Sequence, residues 1–411
     1  MENFNFFNPT EIIFGKDREN EVGGAVLKYG KKVLLHYGGG SIKKSGLYDR
    51  VIRSLNEHGV SFVELPGVQP NPRLSLVRRG IELCKKENID FILAVGGGSV
   101  IDSAKAIGYG LANDFDVWDL YDRIDSAKAI AGGALYDGDI WDIYIEKEQL
   151  KAALPIGVIL TIPAAGSESS PDSVITNEDG MLKRGVGSPF YFPRFAIINP
   201  ALNYTLPPYQ TACGCCDIMA HMLERYFTRV KQVDVSDRLI EAGLRTILHF
   251  APIAIDEPEN YDARAQISWI GTVCHNRLFD AGRIGDWGSH NIEHELSAQY
   301  DIAHGAGLAI IFPAWMKYTY KTDVDRFHQF AVRVMGVDFG YDEKEKAILE
   351  AIFRLEAFFK RLGLPVRLRD AGIDDKQFST MSERAMLYRD HLGEFEKLYA
   401  EDIKKIFALA Y

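Results

Sequence analysis

Short runs of β-branched and aromatic residues alternate with amphipathic helical patterns through the first half of the chain. That alternation restricts the fold more than any other feature. KKVLLHY (31–37) reads as a strand and GLYDRVIRSLNEHG (46–59) as a helix ending on glycine. SFVEL (61–65) is a strand, PRLSLVRRGIELCKKE (72–87) a helix, and FILAV (91–95) a strand that runs into three glycines. VILTIP (158–163) and FAIIN (195–199) read as further strands. Strands separated by helices form βαβ units, and such units build a parallel sheet. After NPALNYTLPP the apolar residues follow helical spacing instead, as in QTACGCCDIMAHMLERYF, DVSDRLIEAGLRTILHFAPIAI, ARAQISWIGTVCHNRLFDAG and KAILEAIFRLEAFFKRLG. The expectation is an α/β, Rossmann-like dinucleotide-binding domain over 1–207 and an all-α domain over 208–411, with the active cleft between them.

The strand FILAV leads through Gly96, Gly97 and Gly98 into a helix whose first turn carries Ser99 and Asp102. Glycine lets the backbone approach a pyrophosphate closely, and the free amides at a helix start bind the anion. A second glycine-rich strand end holds Gly38, Gly39, Gly40 and Ser41, followed by Lys43 and Lys44. Sites that prefer NAD place a carboxylate there to hold the ribose 2′-hydroxyl. This turn has none, so the expected cofactor is NADP(H) in preference to NAD(H).

In the second half, Asp217 and His221 stand four apart on one helical face. His290 and His294 share another face, and His304 precedes a glycine-rich stretch. A lone helical histidine is usually a packing or surface residue. Asp-x3-His followed by His-x3-His-x9-His suits a divalent first-row metal with a position left open for substrate. Ala298 stands where the second histidine of H-E-x-x-H would be, which excludes that metalloprotease motif.

A net charge of −10 argues against nucleic acid or anionic membrane as partner. No uninterrupted apolar stretch would span a bilayer, and MENFNFFNPTEIIFG lacks the pattern of a signal peptide. The five cysteines include the crowded Cys213, Cys215 and Cys216, which lack C-x2-C spacing and read as buried packing residues. These features together point to a cytoplasmic protein acting on a small molecule.

At these residues the chain resembles the iron-containing alcohol dehydrogenase family, most closely its butanol dehydrogenase and aldehyde reductase branch. The likeness runs nearly end to end, through FNPTEIIFG, YGGGSIKKSG, GVQPNPR, GGGSVIDSAKA, LTIPAAGSE, DIMAH and GDWGSHNIEHELSAQYDIAHGAGLAIIFP. The resemblance implies that Asp217, His221, His290 and His304 bind Fe2+ or Zn2+ and that His294 lines the cleft beside them. His294 is then the histidine free to relay a proton. It also implies cofactor contacts from Gly97, Gly98, Ser99 and Asp102, from Asn71 and Thr161 around the ribose and nicotinamide, and from Lys183 near the adenosine phosphate. An alcohol or aldehyde substrate and a homodimer are expected on the same ground. The segment TIPAAGSES is poorer in hydroxyls than the family's usual PTTAGTGSE. Two other readings are a dehydroquinate-synthase-type lyase, which needs basic residues around its metal, and a non-catalytic paralogue.

One feature has no counterpart in that pattern. IDSAKAI occurs at 101–107 and again at 124–130, and Asp114, Asp116, Trp118, Asp119 and Tyr121 recur 23 residues later as Asp137, Asp139, Trp141, Asp142 and Tyr144. Only the first copy follows glycines, so the cofactor is expected on Ser99 and Asp102, not on Asp125 and Ser126. The inserted length, about 108–130, is expected to leave the sheet as a surface excursion, with an extra helix from 124.

Overall fold

The computed structural model describes residues 1–111, 153–178, 180–338, 343–387 and 389–411. Two compact units emerge. The sheet unit comprises Asn8–Ile162 and Gly166–Thr205, and the helical unit comprises Met1–Phe7, Pro163–Ala165 and Leu206–Tyr411. The grouping of the first seven residues and of Pro163–Ala165 with the helices is not visible in chain order.

In the sheet unit, β1 (Glu11–Phe14), β2 (Lys32–Tyr37), β3 (Ser61–Leu65), β4 (Phe91–Gly96), β5 (Ile156–Leu160) and β8 (Phe195–Ile198) form one parallel sheet in the order β1-β8-β5-β4-β2-β3. A separate antiparallel hairpin joins β6 (Asp172–Asn177) to β7 (Leu182–Gly187). Helices α1 (Val22–Leu27), α2 (Ser41–Lys44), α3 (Leu47–Glu57), α4 (Leu74–Glu87) and α5 (Gly98–Leu111) complete the described part of this unit.

Strand side chains alternate between two cores, as a sheet covered on both faces requires. Val33, Leu35, Leu93, Val95 and Ile159 pack with Val22 and Val26 of α1 and with Leu47, Val51 and Leu55, one four-residue stripe of α3. Leu34, Ile92, Ala94 and Val158 pack with Leu74 and Val77 of α4 and Ile101 and Ala104 of α5. The β5 run begins two residues earlier than VILTIP suggests and stops at Leu160. β1 and the β6–β7 hairpin are additions to the expected strands.

Helix α5 runs directly from the glycines through the first IDSAKAI and on to Leu111. Residues 108–111 therefore continue the helix, contrary to the expectation that the excursion begins at 108. The second copy lies outside the described residues.

In the helical unit the chain forms α6 (Pro208–Tyr226), α7 (Asp234–Asp256), α8 (Tyr261–Val273), α9 (Gly288–Tyr300), α10 (His304–Thr319), α11 (Val324–Arg333), α12 (Lys344–Arg361), α13 (Phe378–Ala385) and α14 (Ala400–Ala410). The expected helix through HNRLFDAG instead ends at Val273, and a short 3-10 turn follows at Leu278–Asp280. α6 starts on Pro208, whose fixed φ suits a first helical position, and is buried on nearly all sides. Small residues make that possible. A Cβ on Gly214 would lie 2.4 Å from the Pro163 carbonyl oxygen, and one on Gly305 would lie 2.0 Å from that of Cys213. The second contact brings the start of α10 against α6. Cys215 and Cys216 are buried, and burial pushes the Cys215 thiol up to about 12, in keeping with packing residues. Among the described residues no helix is long and apolar enough to cross a membrane.

Candidate functional site

α6, α9 and the first residue of α10 bring the expected metal set together. His221 Nε2 lies 3.4 Å from Asp217 Oδ1, as the four-residue spacing on one helix allows. His304 Nε2 lies 3.9 Å from the same oxygen. The rings of His221 and His290 are 4.7 Å apart between centroids, and those of His290 and His304 are 5.4 Å apart. Donor atoms of Asp217, His290 and His304 all fall within 4.8 Å of one another. Asp217, His221 and His290 are buried. Burial, reinforced by the neighbouring imidazoles of His275 and His290, holds the pKa of His221 well below its ordinary value. The ring is neutral at physiological pH, the form that binds a metal.

Two glutamates absent from the sequence-based site orient these ligands. Glu224 is almost fully buried, and its Oε1 accepts from His290 Nδ1 at 2.7 Å, from the Ser289 hydroxyl at 2.6 Å and from the His290 amide at 3.1 Å. Its Oε2 accepts from the Trp287 amide at 2.6 Å. Glu293 bonds His304 Nδ1 and the Ser297 hydroxyl. A carboxylate on one ring nitrogen fixes the tautomer and points the other nitrogen at a metal. His290 Nε2 is buried and has no hydrogen-bond partner among the described residues, which a divalent cation would remedy. The donor set fits such an ion.

A signal for these glutamates was present in the spacing. Each lies three residues after a ligand, Glu224 after His221 and Glu293 after His290. The pairing is crossed, however: Glu224 serves His290 and Glu293 serves His304, in each case the next histidine of the ligand set and not the one on its own helix turn. His275 was also missed. Its ring is 4.4 Å from that of His221, and its Nδ1 accepts from Arg225 at 2.8 Å. A guanidinium only donates, so this contact places the His275 proton on Nε2. His294 lies beside the set, its ring 5.6 Å from that of His304, and forms a second close group with Glu293 and His304.

The cofactor-side residues are in the sheet unit. Gly97 is required where it stands, because a Cβ there would lie 2.9 Å from Ile162, whereas a Cβ on Gly98 meets nothing within 4 Å and the helix start is open. Thr161 donates its amide to Gly96 at 3.0 Å and so lies next to this loop. Gly38, Gly39 and Ser41 follow β2, with open space at Gly39 and Gly40. Asn71 is buried with a left-handed φ of 54°, and Lys183 is buried on β7 opposite Thr176.

Asp102 directs its carboxylate toward the segment that follows β5. Its Oδ1 accepts from the Ser167 hydroxyl at 2.5 Å and its Oδ2 from the Val174 amide at 3.0 Å. Three residues on, the buried Lys105 ammonium donates to the carbonyls of Ser167, Ser170 and Asp172 at 2.7, 3.0 and 2.7 Å. This part of IDSAKAI therefore ties α5 to the 167–174 segment. An ionised carboxylate facing a pyrophosphate would repel it, so the inward orientation suits a phosphate loop.

Residues 9–200 match the family model for iron-containing alcohol dehydrogenase, and residues 211–411 match that for the Fe-containing alcohol dehydrogenase family, C-terminal. The chain belongs to the iron-containing alcohol dehydrogenase family. It is 39% identical over 413 residues to NADH-dependent butanol dehydrogenase A of Clostridium acetobutylicum, with all of both chains covered. It is 33% identical over 419 residues to the NADPH-dependent aldehyde reductase YqhD of Escherichia coli, again with all of both covered. The crystal structure of NADH-dependent butanol dehydrogenase A from Thermotoga maritima superposes with a TM-score of 0.88 at 41% identity, covering 100% of this chain and 99% of that one. As a member of this family the chain is an NAD(P)-dependent oxidoreductase with a Rossmann-like parallel sheet and a helical C-terminal half.

Proposed function

We propose that this protein reduces short-chain aldehydes to primary alcohols, and oxidises the alcohols in the reverse direction, at a divalent metal held by Asp217, His221, His290 and His304. The observation that carries the reading is the convergence of these four side chains from α6, α9 and α10, with the buried His290 Nε2 left for a ligand. A divalent ion at this set supplies Lewis acidity to the substrate oxygen, and a nicotinamide supplies or accepts the hydride. Asp217 contributes the single negative charge of the set and the three imidazoles none, so the ion's positive charge is only partly neutralised. Asp plus three His suits Fe2+ or Zn2+. NAD(P)H-dependent reduction of butanal by the purified protein tests the proposal, and no turnover with either cofactor would refute it.

His294 has a separate role in this reading. It carries on its imidazole the proton delivered to the substrate oxygen during reduction, which its place beside His304 supports. Loss of a positioned proton donor costs roughly 10²–10⁴ in rate. His294→Ala should therefore lower kcat by at least about 10² while leaving metal content intact. Wild-type kcat with an unchanged solvent isotope effect would remove His294 from the proton path.

Gly97, Gly98 and Ser99 are proposed to take the pyrophosphate, with Asn71, Thr161 and Lys183 around the rest of the dinucleotide. A preference for NADP(H) is supported by the turn Gly38–Ser41, which contains no carboxylate of its own and leads to the basic Lys44. A lyase acting on a phosphate-bearing substrate is disfavoured by the buried cations near the set. Arg225 is bonded to the His221 carbonyl, Asp280 and His275, and Arg283 to the carbonyls of Arg225 and Val233 and to Asp237. Neither is available to a substrate phosphate.

A further inference from the structure

Beside the Gly38–Ser41 turn stands a charged cluster of Glu64, Lys43, Tyr37 and Tyr48. Glu64, on β3, points to the same face of the sheet as Leu35, its register partner, and Tyr37 two residues on. Its Oε1 accepts from the Tyr48 hydroxyl at 2.6 Å, and its Oε2 accepts from the Tyr37 hydroxyl. Lys43 Nζ lies 3.4 Å from the same Oε2 and is stacked over two rings, 4.5 Å from the centroid of Tyr48 and 5.3 Å from that of Tyr37. One of the two lysines that make the turn attractive to a 2′-phosphate is thus already paired with an anion and lies over two aromatic rings, with its side chain about half exposed.

The cluster is stable in that charge state. Partial burial opposes ionisation of Glu64, but hydrogen bonds from Tyr37 and Tyr48 and the Lys43 charge outweigh it and hold the carboxyl below its ordinary range. Burial, with Glu64 beside it, pushes the Tyr48 phenol up to about 12, so that it remains a donor at neutral pH. The Lys43–Glu64 pair carries no net charge. A 2′-phosphate brought within reach of Lys43 would also feel the Glu64 carboxylate, 3.4 Å from the Lys43 ammonium, and that repulsion would offset part of the attraction. The uncharged 2′-hydroxyl of NADH incurs no such repulsion. Gly39 and Gly40 leave room for either group.

We propose that Glu64 sets the cofactor preference by sequestering Lys43, holding the enzyme's selectivity for NADPH over NADH below what the turn itself would allow. The inference rests on the reading of Gly38–Ser41 as the turn that faces the adenosine ribose. The residue acts through Lys43 and is a specificity-determining residue, not a catalytic one.

The test is a cycle of Glu64→Gln, Lys43→Met and the double variant, each assayed with NADH and NADPH and titrated with both by fluorescence. Glu64→Gln keeps the size of the side chain and one acceptor oxygen, exchanges the other for an amide donor, and removes the charge. It should raise the ratio of kcat/KM for NADPH to that for NADH by about tenfold, chiefly through a lower KM for NADPH, and the gain should shrink at high salt. The gain should vanish in the double variant. An unchanged ratio in Glu64→Gln, with both cofactors still bound, overturns the inference alone. Failure of the wild-type protein to bind either nucleotide overturns the reading of the turn and the inference with it. Lys43→Met in the native background gives an independent check that does not require Glu64→Gln to fold. A drop in the ratio of tenfold or more would show that Lys43 already serves the phosphate, contradicting sequestration, and a change below about threefold is the result expected.

Discussion

His290→Ala should yield a folded protein that retains little metal and whose aldehyde reduction falls by about 10³ or more. The expected size follows from the several kcal/mol that Lewis-acid assistance contributes to such a reaction, each 1.4 kcal/mol being tenfold in rate. Folding should survive because Glu224 keeps three of its four partners, the Ser289 hydroxyl and the amides of Trp287 and His290. The measurements are metal content by elemental analysis, far-UV circular dichroism and steady-state rates. A folded variant with full activity and a normal metal complement would show that His290 is not a ligand.

Glu224→Ala should damage the protein more broadly. It removes the acceptor for four donors in a buried site: the His290 ring, the Ser289 hydroxyl and two backbone amides. Buried donors left without acceptors cost about 1–3 kcal/mol each, partly offset by local rearrangement. A loss of about 4 kcal/mol in unfolding free energy is therefore expected, together with weaker metal binding. Glu224→Gln separates the two effects. Its amide oxygen still accepts while the charge on the imidazole's partner is gone, so most of the stability should return and metal affinity should remain 10–100-fold down. Denaturant unfolding and competitive metal titration read the two independently. Native metal affinity in both variants would mean that Glu224 serves the fold alone.

The contrast between Glu224 and His290 shows where the sequence was legible. Asp217 with His221, and His290 with His294, stand out because helical periodicity places residues four apart on one face, and it was the family resemblance that chose His304 over His294 as the fourth expected ligand. The crossed bonds from Glu224 to His290 and from Glu293 to His304 depend on how α6, α9 and α10 pack, which no local spacing encodes. The same division holds in the sheet unit. β2, β4, β5 and β8 announce themselves as buried apolar runs, and β3 as a short aromatic and β-branched run at the sheet edge. β1 is only four residues long, and the β6–β7 hairpin is interrupted by polar positions, so neither carries a strong periodic signal. Asp102 was read as a cofactor contact because it sits in the first turns after the glycines. Its side chain turns inward to Ser167 and Val174, partners more than sixty residues away. His275 was passed over because it has no companion at helical spacing; only the approach of α6 and the Arg225 contact give it significance.

The central claim is that the four-residue set holds a divalent metal on which aldehyde reduction depends. The direct test is to purify the wild-type protein anaerobically, measure iron and zinc per chain, and follow NADPH- and NADH-dependent reduction of butanal before and after chelation and after metal is restored. The account predicts about one equivalent of metal per chain, activity lost on chelation, and recovery on adding Fe2+ or Zn2+. Undiminished aldehyde reduction by protein stripped of metal would contradict it.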